Sequence, residues 1–462
     1  MKPRTCERVM VIGLDCAPPA LVFERYRHRL PHLDRLMRSG SWGPLRTTQP
    51  PITVPAWASM VSGRDPGELG LYGFRLREPG SYRQRIVNAH DVPAPRLWDW
   101  LGRAGKSVSV LFVPPTYPPS EVHGEMVSCL LTPDADCPHT YPARLQAELR
   151  ERFGPYRMDV EGFRSQDRAR VLEQIFAMTR QHFAVARYLW RTRAPDFLML
   201  VEMGPDRLHH AFWPCFDPAH PAFAVDGPYR DVAERYYAYL DECVGGLVSL
   251  ADERTAVLVV SDHGAQPLLG AVCLNEWLMQ EGYLVLLEPP ERPTPLAGLK
   301  VDWSRTRAWA EGGYYGRVYL NLRGREPHGP IAPEHYERER ALLADRLRAV
   351  PQPGAGVVGA DVVLPSQAYR QVSGLPPDLL VFFENLAYRC IGSLGMRCIV
   401  TRDNDRGRDG CNHAWEGIWI LAGAGTQQRG RIEGLEIYDV APTVSALLGV
   451  AAPDGILGKD RS

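Results

Sequence analysis

The feature that most constrains the fold is a series of short, β-branched apolar runs separated by longer stretches with helical spacing. The runs cover residues 9–14, 107–113, 197–201, 256–260 and 418–422. Such near-continuous apolar character is typical of parallel strands buried on both faces. Helical spacing recurs over 30–38, 168–190 and 229–250. The alternation predicts an α/β fold: a doubly wound, mostly parallel sheet with helices on both faces.

The stretch from 266 to 400 has a different character. It opens with closely spaced prolines, then shows a short strand pattern at 317–322 and one charged helical pattern at 333–348. The α/β pattern resumes after it. The sequence therefore predicts a core formed by 1–265 and 401–462, and a smaller inserted α+β cap or accessory region at 266–400.

Composition excludes some partners and indicates a compartment. There are 53 Lys+Arg against 54 Asp+Glu, a formal net charge of -1, so neither nucleic acid nor a membrane surface is expected as a partner. The N-terminal apolar run ends at Asp15, which is unlike a signal peptide, and no run approaches a membrane span. The ten cysteines are scattered, which predicts reduced thiols in a cytoplasmic protein. The sequence does not indicate an oligomeric state.

Aspartate and histidine residues adjoin several of the predicted strands. They are Asp15, Asp206, His209, His210, Asp262, His263 and His413. Ligands of doubly wound sheets bind outside the carboxyl ends of the strands. If the strands are parallel, three of these groups converge on one edge. Each residue alone has a plainer interpretation as a turn residue or a helix cap.

Taken together, these residues predict a centre that holds two divalent metal ions. Carboxylates and neutral imidazoles are the ligand types of zinc and manganese. Two metals that share one phosphate need about six or seven such ligands. Six are available: Asp15, Asp206, His210, Asp262, His263 and His413.

A seventh ligand could be a hydroxyl, and the segment PPITVPAWASMVSG offers Thr53 between two prolines. A nearby dication can lower the pKa of a hydroxyl enough to make it a nucleophile. Pro55 suits a first helical turn, whose N–H groups can bind phosphate. The plainer alternative is that Thr53 only caps this helix.

The chain resembles the alkaline phosphatase superfamily, in its type I phosphodiesterase and nucleotide pyrophosphatase branch. The resemblance is carried by GLDCAPP, PPITVPAWASMVSG, DRLHHAFW, SDHGAQ, CNHAWEGIWILAGAG and IYDVAPTVSALLGV, in the family's order. It implies an alkaline-phosphatase-like core that acts on small phosphorylated substrates, with two metal ions that are usually zinc. It also implies that Thr53 is a nucleophile that forms a covalent phospho-enzyme.

The resemblance divides the ligands between the two metals. Asp15, Thr53, Asp262 and His263 match the ligands of one, and Asp206, His210 and His413 match those of the other. His209 is adjacent but outside the motif.

The chain departs from the family pattern just after the nucleophile helix. Leu69-Gly70 replaces the usual His-Gly pair, and Phe74 occupies the position of a phosphate-binding Asn. Phe74 is therefore a candidate substrate contact, and Arg75 is a candidate clamp for phosphate oxygens. The alternative for Arg75 is a solvated surface charge. A sulfatase is not expected, because the segment TVPAW lacks the sulfatase signature.

The leading functional hypothesis is a metal-dependent hydrolase of phosphodiesters or pyrophosphates that acts through Thr53. A phosphomonoesterase, a phosphonate hydrolase or a biosynthetic phosphotransferase on the same site are alternatives. A non-catalytic metal-binding member is a third possibility, which the complete ligand set disfavours.

Overall fold

The computed structural model describes residues 5–351 and 356–462. Its strands, in chain order, are β1 (Arg8–Leu14), β2 (Ser41–Arg46), β3 (Arg75–Arg77), β4 (Gln84–Ile86), β5 (Val108–Leu111), β6 (Gly124–Val127), β7 (Thr140–Tyr141), β8 (Phe197–Glu202), β9 (Thr255–Val260), β10 (Gly264–Pro267), β11 (Gly270–Cys273), β12 (Ala308–Glu311), β13 (Gly316–Leu320), β14 (Ala360–Val363), β15 (Leu379–Phe383), β16 (Tyr388–Ile391), β17 (Val400–Thr401), β18 (Cys411–Ala414), β19 (Glu416–Gly423), β20 (Gly430–Arg431) and β21 (Leu435–Glu436).

The central sheet is large and mostly parallel, as the sequence predicts. Its strand order is β20-β2-β19-β9-β1-β8-β5-β6-β7, and β21 also pairs with β2. Strand β1 pairs in parallel with β8 and with β9, so that Leu14 lies opposite Glu202 and Gly13 lies opposite Val260. These registers align the carboxyl ends of the three central strands at one edge.

The expectation that the run at 418–422 is a parallel strand is wrong. It lies in β19, which is antiparallel to both β9 and β2. Strand β18 pairs with β10, which itself follows β9 directly. The chain therefore enters β19 from the carboxyl edge of β9, only one residue after β18, and a parallel strand would need a crossover back to the opposite edge.

Helices alternate with the strands of the central sheet. In chain order they are α1 (Pro31–Ser39), α2 (Thr53–Ser62), α3 (Pro66–Leu69), α4 (Leu97–Arg103), α5 (Arg144–Phe153), α6 (Arg168–Arg193), α7 (Gly204–Phe216), α8 (Val232–Val248), α9 (Leu274–Gln280), α10 (Tyr336–Leu347), α11 (Pro365–Ala368) and α12 (Val440–Leu447). The helices predicted at 30–38, 168–190 and 229–250 are confirmed as α1, α6 and α8. Helices α1, α6, α7 and α8 pack on one another, and α2, α4 and α12 form a second group.

A second sheet lies between β11 and β17. Its order is β12-β13-β15-β16-β11-β17, with β14 paired to β15, and it has an apolar core separate from that of the central sheet. The strand predicted at 317–322 corresponds to β13, and the charged helix to α10 after a 3-10 turn at Pro333–His335. The boundaries of the inserted region at 266–400 stay a prediction.

Two further properties concern the chain as a whole. Its ten cysteines are free thiols, and most are buried. Among the described residues, no helix combines the length and apolar character needed to cross a bilayer. The cytoplasmic location stays a prediction.

Candidate metal centre

The carboxyl edge of the central sheet gathers five of the predicted ligands. Asp15 directly follows β1, and Asp262 and His263 connect β9 to β10. Asp206 and His210 lie on α7, which begins just after β8. Their spacing of four places both side chains on one face of the helix. The convergence predicted from the strand ends is therefore present.

The remaining two residues arrive from outside the parallel strands. His413 lies on β18, opposite Ala265 of β10, and its ring stacks on that of His263 with centroids 3.8 Å apart. Thr53 is the first residue of α2 and follows β2 through the proline-rich segment. Both side chains are buried.

Each of the three imidazoles has its Nδ1 atom engaged away from the centre. Nδ1 of His263 donates to the carbonyl of the next residue at 3.1 Å, and Nδ1 of His413 donates to the carbonyl of Pro51 at 2.7 Å. Nδ1 of His210 lies 2.6 Å from Oδ1 of Asp409. A carbonyl or carboxylate oxygen can only accept, so the proton is on Nδ1 and Nε2 of the neutral ring keeps its lone pair.

The Nε2 atom of His263 faces one group of oxygen atoms. It lies 3.3 Å from Oγ1 of Thr53, 3.2 Å from Oδ2 of Asp262 and 3.8 Å from Oδ1 of Asp15. These four residues are the set that the resemblance assigns to one metal.

A second group forms around Asp206. Its Oδ1 lies 3.2 Å from Nε2 of His210 and 3.7 Å from Nε2 of His413, and the two Nε2 atoms are 3.4 Å apart. Ligand atoms of these three residues all lie within 4.8 Å of one another. They are the set assigned to the other metal.

In the described part of the chain, one oxygen atom of each of two carboxylates lacks a hydrogen-bond donor and is therefore suited to bind a cation. Oδ1 of Asp15 and Oδ2 of Asp262 are buried and accept no hydrogen bond from the described residues. Burial raises the pKa of both carboxyls, and the negative charge of Asp15 raises that of Asp262 further. Buried carboxylates without donors are costly unless a cation compensates them. Lone pairs and carboxylate oxygens that face each other across a few ångströms are suited to bind cations between them.

The electrostatics of two of the imidazoles favour the same conclusion. Burial lowers the pKa of His263 to about 4 and places that of His413 well below its usual range. Both rings are therefore neutral near pH 7, which is the form that binds a metal.

Thr53 does not cap its helix. The N-cap position of α2 is Ile52, which makes no side-chain cap bond, and Oγ1 of Thr53 is directed toward His263 instead. The plainer alternative for this residue is therefore wrong.

Asp409 is a functional candidate that the sequence reasoning missed. Besides contacting His210, its carboxylate accepts from Arg164 at 2.9 Å and from Arg389 at 3.1 Å, and its side chain is fully buried. Burial would raise the pKa of this carboxyl, but the charges of His210 and the two arginines hold it far below its usual range. The only signal for it is its position four residues before His413, and an isolated Asp in a glycine-rich loop normally indicates a turn.

Two aromatic residues complete the surroundings of the centre. Nε1 of Trp57 donates to Oδ2 of Asp15 at 2.7 Å. The ring of Tyr314 lies over His210 and His413, with centroids 5.0 and 4.0 Å away. Trp57 lies within the segment that carries Thr53, and Tyr314 lies in the loop between β12 and β13.

Phe74, Arg75 and His209 have surroundings of their own. Phe74 is half-buried and packs between two small apolar clusters beside α2. Arg75 is exposed on β3. His209 faces Tyr237, with its Nε2 atom 3.1 Å from the tyrosine hydroxyl, so it lies outside the ligand set. The roles predicted for Phe74 and Arg75 stay predictions.

The fold and the paired clusters of Asp and His define a protein of the alkaline phosphatase superfamily. Residues 9–380 match the sequence pattern of the type I phosphodiesterase/nucleotide pyrophosphatase family, and the chain belongs to that family. The matched range includes Thr53 and every predicted ligand except His413, which lies beyond it. None of the curated proteins matches the chain.

Solved structures with the same fold include two different enzymes. Phosphonoacetate hydrolase from Sinorhizobium meliloti, in complex with phosphonoformate, is 16% identical with a TM-score of 0.58, over 97% of this chain and 96% of that one. Murine ectonucleotide pyrophosphatase/phosphodiesterase 5 is 13% identical with a TM-score of 0.56, over 96% of both chains. An inactive form of the murine protein has been solved with AMP. At these identities the likeness establishes the fold.

Proposed function

We propose that this protein is a two-metal hydrolase of phosphodiesters or pyrophosphates that acts through a covalent phospho-threonine at Thr53. The observation that carries the proposal is the inward-facing Nε2 atoms of His210, His263 and His413, which share one buried site with three carboxylates and the Thr53 hydroxyl. Family membership supports phosphoester chemistry, and the bound AMP of the murine neighbour is consistent with a small phosphorylated substrate.

Two groups of residues would hold the cations. Asp15, Thr53, Asp262 and His263 form one group, and Asp206, His210 and His413 form the other. The donor set of imidazoles, carboxylates and a hydroxyl suits zinc, with manganese as the alternative. When bound, two such ions would supply the positive charge that neutralises phosphoryl oxygens and lowers the pKa of a hydroxyl.

In the first step, Oγ1 of Thr53 attacks phosphorus and the bond to the leaving-group oxygen breaks. The hydroxyl proton passes to water before or during the attack, because Nε2 of His263, 3.3 Å away, belongs to the proposed cation ligands and its Nδ1 already holds a proton. The free N–H groups in the first turn of α2 suit the phosphoryl oxygens. In the second step, water attacks phosphorus and the bond to Oγ1 breaks, which restores Thr53. Two successive inversions give net retention at phosphorus.

A phosphonate hydrolase on the same site is the second candidate. The replacement of the phosphate-binding Asn by Phe74 argues against an ordinary nucleotide pyrophosphatase. The neighbour that acts on phosphonoacetate shares the fold over nearly the whole chain. A phosphomonoesterase or phosphotransferase would need further positive charge beside the reacting group. Comparing kcat/KM for aryl diesters, aryl monoesters and phosphonates separates these activities.

Thr53→Ala tests the proposed nucleophile. With zinc present, the variant should lose turnover of bis(4-nitrophenyl) phosphate, while elemental analysis still finds about two metals per chain. Thr53→Ser, which keeps a hydroxyl, should retain part of the activity and is the matched control. Undiminished hydrolysis by Thr53→Ala would refute the mechanism.

A further inference from the structure

Strands β12 and β13 place an opposite-charge pair next to the metal centre. Glu311 ends β12 and lies directly opposite Arg317 of β13. The loop that joins the two strands carries Tyr314, whose ring covers His210 and His413. Glu311 and Arg317 therefore flank the base of a loop that contacts the metal ligands.

The hairpin of β3 and β4 brings a second arginine to the same face. Arg77 lies over the rings of Trp309 and Tyr319, 5.0 and 4.8 Å from their centroids. These two aromatic residues share a face with Glu311 and Arg317, two positions away on each strand. Arg75 shares the face of Arg77 on β3 and is exposed at the outer end of this row.

A third arginine comes from the loop after β17. Oγ of Ser393 donates to Asp405 at 2.6 Å, which ties this loop to the chain beside Gly392. Gly392 packs against Gly312, whose added Cβ would lie 2.4 Å from the Gly392 nitrogen. Arg406 thus follows a residue bound to Ser393, in the segment that packs against Gly312, the neighbour of Glu311.

The charges of this group are not neutralised internally. Arg77 is paired with Glu326 at 2.8 Å. In contrast, among the described residues Arg317 makes one hydrogen bond, to the carbonyl of Gly312 at 3.2 Å, although only 9% of its surface is exposed. Neither Arg317 nor the carboxylate of Glu311 has an ion-pair partner within 4.0 Å there. Burial raises the pKa of Glu311, and the charges of the surrounding arginines oppose this rise.

We propose that Arg75, Arg317 and Arg406 form a subsite for a second anionic group of the substrate, a carboxylate or a phosphate. This inference rests on the proposed function and specifies its substrate class: phosphoesters that carry another negative charge beyond the reacting phosphoryl group. Three guanidinium groups against one carboxylate leave the subsite with a formal charge of about +2. Guanidinium groups bind carboxylate and phosphate oxygens through paired hydrogen bonds.

Three substrates test the subsite. They are 4-nitrophenyl phosphodiesters with the same leaving group, whose second ester chain ends in a hydroxyl, a carboxylate or a phosphate. For the wild type with zinc, kcat/KM should be about tenfold or more higher for at least one charged probe than for the hydroxyl probe. The two charged probes distinguish a carboxylate from a phosphate as the natural group.

Variants test which residues cause the preference for a charged probe. Arg75→Met and Arg317→Met should lower kcat/KM for the charged probes much more than for the hydroxyl probe, so that the ratio falls toward one. Glu311→Gln should raise the ratio, because a competing negative charge is removed. Arg85→Met is the matched control: Arg85 is exposed on the same hairpin, pairs with Leu76 on the opposite face and should leave the ratio unchanged.

Binding measurements separate this inference from the proposed function. Calorimetry with the Thr53→Ala variant gives Kd for each probe without turnover. The subsite is supported if a charged probe binds the Thr53→Ala variant more tightly than the hydroxyl probe does, and if adding Arg75→Met to that variant removes the difference. This holds even if the wild type hydrolyses none of the probes. Equal affinities and equal rates for all three probes would overturn it. An equal loss for all probes in Arg75→Met would also overturn it, because Arg75 would then act on the reacting phosphoryl group. Arg75 and Glu311 keep the test decisive if Arg317→Met fails to fold.

Discussion

At the scale of single residues, Asp409 fixes the proton position on His210. The carboxylate holds the proton on Nδ1, which leaves Nε2 free to face Asp206. Arg164 and Arg389 in turn hold the carboxylate in place. A carboxylate that accepts the Nδ1 proton of an imidazole orients the ring and raises the basicity of its Nε2 atom.

Asp409→Asn keeps the shape of this side chain and removes its charge. We expect the affinity for zinc to fall about 10- to 100-fold, with much of the activity recovered at saturating zinc. Competition with a chromogenic chelator measures the affinity directly. Asp403→Asn, an exposed change in the same loop, is the control. Unchanged zinc affinity in Asp409→Asn would show that the contact is only structural.

Some site residues can be predicted from the local sequence pattern, whereas others become apparent only from contacts in the folded chain. Asp15, Asp206 and Asp262 follow apolar strands, so the local sequence pattern predicts their position. Asp409 and Tyr314 lie in irregular loops, and their contacts with His210 form only when these loops fold against α7. For Thr53, both the local sequence pattern and a contact in the folded chain were needed. The prolines predict a rigid turn, but only the contact with His263 distinguishes a candidate nucleophile from a helix cap.

At the scale of elements, the position of α2 depends on one close approach to β1. Trp57 of α2 lies against Gly13, where an added Cβ would be only 2.4 Å from the indole ring. The same indole donates to Asp15 at the end of β1. Because Thr53 begins α2, this packing sets the distance between the proposed nucleophile and the proposed metal ligands.

Gly13→Ala should therefore affect both stability and catalysis. We expect a loss of about 1–3 kcal/mol in the free energy of unfolding, from overpacking, and a lower kcat/KM as α2 shifts. Urea unfolding and diester hydrolysis measure the two effects. Gly246→Ala on α8, where the nearest atom to a new Cβ is 3.8 Å away, should be neutral or stabilising. If both variants behave alike, the close approach does not position α2.

The direction of β19 is a second property of elements, and here local pattern was misleading. The apolar run at 418–422 is compatible with a parallel or an antiparallel strand, so its pattern does not indicate the strand direction. The direction follows from the connection, because β18 returns along β10 and leaves no chain for a crossover. Strand identity was therefore predictable from the sequence, whereas strand direction depended on contacts distant in sequence.

At the scale of the whole molecule, the candidate metal centre joins β1, β8, β9, β18, α2 and α7, so its charge balance should govern global stability. Asp15 and Asp262 have raised pKa values in the metal-free protein. Ordinary Asp ionises near pH 3.9, so above that pH the unfolded chain releases protons that the folded, metal-free chain retains. The stability of the metal-free protein then falls as pH rises.

The histidines act in two ways. Burial lowers the pKa of His210, but the charge of Asp409 raises it well above its usual range overall, so above about pH 6.5 this residue acts in the same direction as the carboxylates. His263 and His413 act in the opposite direction over a lower range. The pKa values of His263 and His413 are depressed. Their contribution to the free energy of unfolding therefore rises with pH only up to about pH 6.5, where the histidines of the unfolded chain lose their protons. Between about pH 6.5 and 8, below the range where ordinary thiols ionise, the buried carboxylates and His210 should together lower the stability of the metal-free protein.

Chelation at two pH values tests this balance. We expect the midpoint of thermal unfolding of the chelated protein to fall between pH 6.5 and 8, while the zinc-loaded protein changes little. The stabilisation by zinc should then widen with pH, and it should reach about 2.7 kcal/mol for each site when free zinc is a hundredfold above Kd. In Asp15→Asn the slope for the chelated protein should be shallower, because one raised carboxyl is gone. A chelated wild type that gains stability over this range would contradict the assignment, since the carboxylates would then be compensated within the protein without a cation.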